Sequence, residues 1–169
     1  EETQAVNTAA LLHDIGKLAV PEQILSKSEA LTPEEARRMQ IHPQVGAEIV
    51  AGVPFPAPVA PLILSHHEQW DGKGYPQGLK GEEIPIGARI LTIVDYFDAV
   101  TTERPYHKAL SHESAIGLLK HEAGRALDTK LVDVFVEILP GLLAEADRTV
   151  AVDRCVARLR DHFGRVVES

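Results

Sequence analysis

The chain has 169 residues, about one domain's length, with 44% apolar and 25% charged residues, a globular composition. Acidic residues outnumber basic ones by 25 to 17, and the net charge of −8 argues against binding a nucleic acid polymer or an anionic lipid surface, both of which need clustered positive charge. No run of about 18 apolar residues occurs, so no membrane segment is expected, and the one cysteine, Cys155, excludes an internal disulfide framework and fits a reducing, cytoplasmic compartment.

Helical patterning runs through the chain. Residues 4–13 are apolar and Ala-rich and stop at Gly16, a helix C-terminus. Thr32-Pro33-Glu34-Glu35 is a helix start, with Thr32 as N-cap and Glu35 closing a capping box. His42-Pro43 opens a helix with Val45, Ile49 and Val50 on its inner side. A Pro-rich link (Pro54, Pro56, Pro58, Pro61) leads into a helix through Leu62, Ile63 and Leu64 to His66 and His67. Residues 69–86, with Gly72, Gly74, Gly78, Gly81, Pro76 and Pro85, are predicted as a long loop, and such a loop inside a compact domain is usually functional. Ile86, Ile90, Ile93, Val94 and Phe97 have helical spacing up to about Thr102. Further helices are predicted from Ser111 to Gly124, and from Asp128 to a stop at Pro140 with Leu131, Phe135 and Leu139 buried. A last stripe, Val152, Val156, Leu159 and Phe163, reads as an amphipathic helix. No β-strand alternation occurs, so the fold class is all-α.

Chemistry concentrates at histidines and acids. His13-Asp14 closes an apolar helix, where two ionisable side chains beside Leu11-Leu12 are costly to bury without partners. A metal ion satisfies both, since imidazole and carboxylate together suit Zn, Mn, Fe or Ni; the alternative is a turn-capping Asp14 and a hydrogen-bonded core His13. His66-His67-Glu68 ends a second apolar helix. Adjacent helical residues point about 100° apart, so both rings reach one ion only at a frayed helix end or with divergent rotamers. Asp95, on a strongly apolar helix, either ligates metal or forms a buried salt bridge with Arg89 or Arg104. His42 alone reads as an exposed residue before Pro43.

The string His13-Asp14-Ile15-Gly16-Lys17 resembles the signature of the HD-type metal-dependent phosphohydrolases. The segment from His66-His67-Glu68 through Trp70-Asp71-Gly72-Lys73-Gly74-Tyr75-Pro76 to Gly81 resembles the defining stretch of their HD-GYP subgroup. Ile84-Pro85, Ala88-Arg89-Ile90, Asp95-Tyr96-Phe97-Asp98-Ala99 and Arg104-Pro105-Tyr106 follow in the family's order, so the resemblance covers about residues 6–139. It implies an HD-domain helical bundle with a long Gly-rich loop, residues 1–140 forming the catalytic domain and 141–169 a C-terminal helical extension. It also implies a bacterial signalling phosphodiesterase that hydrolyses cyclic di-GMP, or a related cyclic dinucleotide such as mixed cyclic GMP-AMP, to linear dinucleotide or GMP.

Carried over by motif, His13, Asp14 and Asp95 match ligands of one ion, and Asp14, His42, His66 and His67 ligands of a second, Asp14 bridging. The family implies two divalent ions, or three in some members, with iron first and manganese or nickel as alternatives. Two such ions about 3.5–4 Å apart share a water and lower its pKa toward neutrality. Asp14 and Lys17 are the implied catalytic residues. Lys17 either holds a substrate phosphate or merely stabilises a helix dipole. Arg104 and Lys108 match substrate contacts, Arg suiting guanine because its fork reaches O6 and N7; His107 stands where many relatives carry a second basic residue. Gly72 and Gly74 permit positive φ. Trp70 and Tyr75 either stack on a base or anchor the loop on the core, and Tyr75 is placed among the substrate contacts.

The family credits this loop with recognising diguanylate cyclase domains, and its members commonly follow a sensory or receiver domain. Relatives have a further helix before residue 1 that adds a histidine, and in some a glutamate for a third ion. Leu127-Asp128-Thr129 stands where relatives often have Phe-Asp-Pro, with Asp128 still capping. The stripe within 141–169 could dock on the domain, form a homodimer or lead to another module. A catalytically weak cyclic-dinucleotide receptor or protein-interaction module is the second functional class. An HD hydrolase of other nucleotides is a third, disfavoured by the His66–Gly81 segment.

Overall fold

The computed structural model describes residues 2–103 and 108–146. The chain divides into two compact units, Glu1–Val132 and Asp133–Ser169. In the first unit, α1 (Glu2–Leu12) is followed by a 3₁₀ turn (Ile15–Ala19), α2 (Glu22–Leu25), α3 (Pro33–Met39), α4 (His42–Ala51), α5 (Ala60–Ser65), a second 3₁₀ turn (Gly81–Glu83), α6 (Ile86–Thr101) and α7 (His112–Glu122). A last helix, α8, begins at residue 129, and the chain is helical through residue 146. The described residues contain no β-strand, and none of their helices is long and apolar enough to cross a membrane.

Local chemistry accounts for the helix starts. Thr32 accepts the Glu35 N–H while the Glu35 carboxylate takes the Thr32 N–H, the predicted capping box. Ser111 accepts the Ser114 N–H at the head of α7, and Asp128 accepts the N–H groups of Lys130 and Leu131.

The core is built from small side chains at close approach. Ala5 and Ala9 of α1, Ala47 and Val50 of α4, Leu62 and Ile63 of α5 and Leu91 of α6 form one buried cluster. α1 packs on α5 and α6, and α4 packs on α5 and on the Ile15–Ala19 turn. Gly16 sits at that last contact. A Cβ there would collide with the His42 carbonyl oxygen and the Gly46 nitrogen. Gly16 has no positive φ, so closeness to α4, rather than a left-handed cap, explains this glycine.

Several sequence expectations shift. α4 buries His42, Pro43, Gly46, Ala47 and Val50, while Ile49 is 41% exposed. α6 buries Gly87, Ala88, Leu91 and Ile93, leaving Ile86 53% and Val94 44% exposed. In both helices the buried face carries the small residues, Gly46 and Ala47 in α4 and Gly87 and Ala88 in α6, together with Val50, Leu91 and Ile93. α8 does not stop at Pro140 but continues past it. Leu139 is buried as expected, whereas Leu131 and Phe135 are only half-buried. The stripe Val152–Phe163 lies outside the described residues.

The Gly-rich loop is folded back on the domain. Trp70 and Asp71 donate their N–H groups to the carbonyls of Ala126 and Arg125, and Gly81 donates to Trp70. The Arg89 guanidinium lies 5.7 Å from the Trp70 ring centroid and bonds Asp128 at 2.7 Å. Trp70 therefore anchors the loop on the core. Gly72 has φ +85, as expected, but Gly74 has no positive φ; a Cβ on Gly74 would strike the Gln69 nitrogen and the Glu68 Cα.

Candidate metal centre

Four segments deliver six side chains to one place. His13 and Asp14 follow the end of α1, His42 is the first residue of α4, His66 and His67 follow α5, and Asp95 lies in α6. His13 Nε2 lies 3.5 Å from Asp14 Oδ2 and 3.7 Å from Asp95 Oδ1. His42 Nε2 lies 3.6 Å from Asp14 Oδ1. The rings of His13 and His66 have centroids 5.3 Å apart, those of His42 and His67 5.0 Å, and those of His66 and His67 4.1 Å. Because α5 ends at Ser65, the two adjacent histidines leave the helix together and face the same cluster.

The donor set fits a cation. Nδ1 of His42 donates to the Met39 carbonyl at 2.8 Å, and Nδ1 of His66 donates to the Ile63 carbonyl. In a neutral ring this leaves Nε2 with a lone pair. Those two Nε2 atoms are 3.3 Å apart. Burial lowers the pKa of His42 and brings that of His66 down to about 4, so both rings are neutral near pH 7. Two lone pairs facing each other inside a protein lack a partner, and a cation between them supplies one. The ligand atoms of His42, His66 and His67 all lie within 4.8 Å of one another and could hold a metal ion. Burial, then the neighbouring His66 and His42, brings His67 to about 3.

The acidic side of the cluster behaves differently. The Asp95 carboxylate, accepting from the His13 ring, raises the His13 pKa against the effect of burial. That same bond, opposed by burial, lowers Asp95. Burial would raise Asp14, but the Lys17 hydrogen bond and charge, with His13 and His42, bring it below the usual carboxylate value. Lys17 Nζ bonds Asp14 Oδ2 at 2.7 Å. Asp95 thus pairs with His13; Arg89 goes to Asp128 instead.

Tyr75 packs on the cluster, its ring stacked on His67 with centroids 5.0 Å apart. Lys108 is exposed, and among the described residues no hydrogen bond or ion pair joins it to the cluster. Arg104 lies outside the described residues. Two supporting residues went unassigned in the sequence. The Thr92 hydroxyl lies 2.8 Å from the His66 carbonyl, and Glu68 is 1% exposed, with its carboxylate taking the N–H groups of Gln77 and Leu79. The signal for Glu68 was its place between a histidine pair and a loop rich in unpaired backbone donors.

A family model described as HD domain matches residues 1–131, and His66–Gly81 within that stretch carries the Gly-Tyr-Pro segment. The chain belongs to the HD-GYP family. A cyclic di-GMP phosphodiesterase response regulator of Xanthomonas campestris is 41% identical to this HD-GYP domain over 138 residues, covering 80% of the chain and 36% of that protein. A cyclic di-GMP phosphodiesterase of Thermotoga maritima is 39% identical over 135 residues, covering 79% and 37%. A 3'3'-cGAMP-specific phosphodiesterase of Vibrio cholerae is 37% identical over 138 residues, covering 80% and 26%. The chain spans little more than a third of the longest-covered of these relatives. Among solved structures, an HDG"Y"P protein of Bdellovibrio bacteriovorus superposes with a TM-score of 0.65 at 24% identity, over 82% of this chain and 44% of that one. The all-α HD-GYP fold is shared with it.

Proposed function

We propose that this HD-GYP domain is a metal-dependent phosphodiesterase that hydrolyses cyclic di-GMP, or a related cyclic dinucleotide, to linear dinucleotide or GMP in bacterial second-messenger signalling. The observation that carries the proposal is the pair of facing, neutral Nε2 atoms of His42 and His66 beside Asp14. The names of the relatives support the substrate class.

His13, Asp14 and Asp95 would hold one divalent ion, and Asp14, His42, His66 and His67 the second. Asp14 suits a bridging role: its Oδ1 faces His42 and its Oδ2 faces His13. Iron is the favoured metal, with manganese or nickel accepted by the same ligands, and a third ion requires donors from outside these residues. When bound, the ions lower the pKa of water and offset phosphate charge. Lys17 bonds Asp14 Oδ2, the oxygen that also faces His13, and on this reading would hold a phosphate oxygen of the substrate. An open groove of about 450 Å³ is lined by Asp14, Lys17, Leu18 and Leu25. Leu18 is 83% exposed there, an apolar surface for a base. Arg104 and Lys108 would complete the substrate contacts, whereas the Tyr75 ring, stacked on His67, is engaged with the cluster.

Residues 1–140 form the catalytic domain on this reading, with 141–169 as an extension that could pair two copies. The Gly-Tyr-Pro loop would meet a diguanylate cyclase domain, a sensory or receiver domain would precede residue 1, and the protein would act in the cytoplasm.

The test is chromatography of products after incubating iron- or manganese-loaded protein with cyclic di-GMP. Linear dinucleotide or GMP is expected. Asp14→Ala removes the shared carboxylate and should abolish turnover, and Lys17→Ala should lower kcat by about 10²–10³, as loss of a charge-stabilising donor does. Turnover at the original rate in Asp14→Ala would overturn the mechanism. Tight dinucleotide binding by loaded protein without hydrolysis would identify a receptor instead.

A further inference from the structure

Three of the four histidines in the cluster are oriented alike. Nδ1 of His13, His42 and His66 each donates to the carbonyl three residues earlier, of Ala10, Met39 and Ile63. Such a bond sets both ring plane and tautomer, leaving Nε2 to ligate. His67 is the exception. Among the described residues neither of its ring nitrogens has a hydrogen-bond partner.

What the His67 ring meets instead is Tyr75, at 5.0 Å between centroids and 29° between planes. Tyr75 is itself tied down, donating its N–H to the His67 carbonyl at 3.2 Å. Just beyond, the buried Glu68 carboxylate takes the Gln77 N–H at 2.7 Å and the Leu79 N–H at 3.0 Å. Charge-assisted bonds of this kind are the stronger class. On the other side of Tyr75, the tight approach at Gly74 presses the loop onto Glu68 and Gln69. The tyrosine is therefore gripped from both flanks, with its ring laid on an imidazole that lacks the carbonyl contact of the other three.

We propose that Glu68 and Tyr75 are positioning residues for the metal centre: Glu68 fastens the loop, and the Tyr75 ring, by stacking, fixes the ring plane of His67, which the carbonyl bonds fix for the other three histidines. This rests on the metal-centre reading above. It makes the aromatic ring of Tyr75, and not its hydroxyl, the functional part.

The experiment titrates the metal-free full chain with Co²⁺, reading affinity by calorimetry and ligand geometry by visible absorption. The wild-type chain is compared with Tyr75→Phe, Tyr75→Leu and Glu68→Gln, and the metal-free thermal midpoint of each is recorded. Tyr75→Phe should keep both affinity and spectrum. Tyr75→Leu should weaken Co²⁺ by about tenfold or more and alter the visible band. Glu68→Gln loses one backbone bond and should weaken Co²⁺ while retaining a folded chain, so it decides between the outcomes if Tyr75→Leu does not fold. Wild-type Co²⁺ affinity in Tyr75→Leu with only KM raised makes Tyr75 a substrate platform and overturns the proposal, as does unchanged affinity in Glu68→Gln. A wild-type chain that takes up no Co²⁺ overturns the metal-centre reading and this inference with it.

Discussion

Protonation decides whether these imidazoles are ligands or cations. Burial holds His66 near 4 and His67 near 3, and it lowers His42 as well. All three are therefore neutral at pH 7 and offer lone pairs without first losing a proton. The same shifts fix a sign for stability. In the unfolded chain these rings take up protons near pH 6.5, while the folded rings of His66 and His67 wait until about 4 and 3. Above pH 6.5 neither state binds the protons and no penalty exists. As pH falls below 6.5 the unfolded chain binds more, and stability declines. His13, whose pKa is raised, works the opposite way: its contribution is present below 6.5 and fades as pH rises through its folded value. Asp14 and Asp95, both lowered, contribute above the ordinary carboxylate pKa and lose that contribution only in stronger acid. Three lowered histidines outweigh one raised. Urea unfolding of the chelator-treated chain should therefore show lower stability at pH 5.5 than at 7.5, with a limiting slope of about 1.4 kcal/mol per pH unit for each uncompensated proton. Greater stability at pH 5.5 would contradict the burial of these rings.

Between helices, glycine placement sets what can approach what. Gly16 lets the Ile15–Ala19 turn lie on the first turn of α4, which is where His42 begins. An added Cβ meets backbone atoms of His42 and Gly46 there, and backbone cannot step aside as a side-chain end can. Gly16→Ala should cost about 3 kcal/mol, the upper end of overpacking, and weaken metal binding because His42 is displaced. Gly87 offers the contrast. Its added Cβ would sit 2.9 Å from Leu62 Cδ1 and from Val6 Cγ2, side-chain methyls rather than backbone atoms. Gly87→Ala should cost about 1 kcal/mol and leave metal affinity unchanged, since α6 can give locally. Thr32→Ala removes the α3 cap, at a cost of about 1 kcal/mol, remote from the cluster. Thermal melts paired with metal titration separate the three: only Gly16→Ala should move both readouts.

For the molecule as a whole, all six donors lie within Glu1–Val132, and they are joined across long stretches of chain only in the folded state. A ligand that binds only that state stabilises it by mass action. Loading with a divalent ion at 100 times its Kd should raise the unfolding free energy by about 2.7 kcal/mol, read as a rise in thermal midpoint that a chelator reverses. Net charge enters here too. On the proposed function, a −8 chain would repel an anionic dinucleotide, and cations held by the cluster would reverse that sign locally. Dinucleotide affinity measured by calorimetry should therefore collapse on metal removal; equal affinity with and without metal would place the binding site elsewhere.

Much of this was legible in the linear order of residues. Helical periodicity gave the all-α class, Thr32-x-x-Glu35 marked a helix start to the residue, and the linked motifs named six side chains that the fold gathers into one cluster. These are local or short-range signals, carried by neighbours in the chain. Periodicity could not say which of two apolar faces would be covered: Ile49 was expected inside and lies outside, and of the helically spaced Ile86, Ile93 and Val94 only Ile93 is buried. The covered face is chosen by how closely two backbones can approach, and that depends on Gly16 meeting His42 and on Gly87 meeting Leu62. The Arg89–Asp128 pair and the grip of Glu68 on the Gly-rich loop were likewise hidden. Each joins groups distant in the chain or unpaired in pattern, and hydrogen bonds of that kind exist only once packing has removed the competing water.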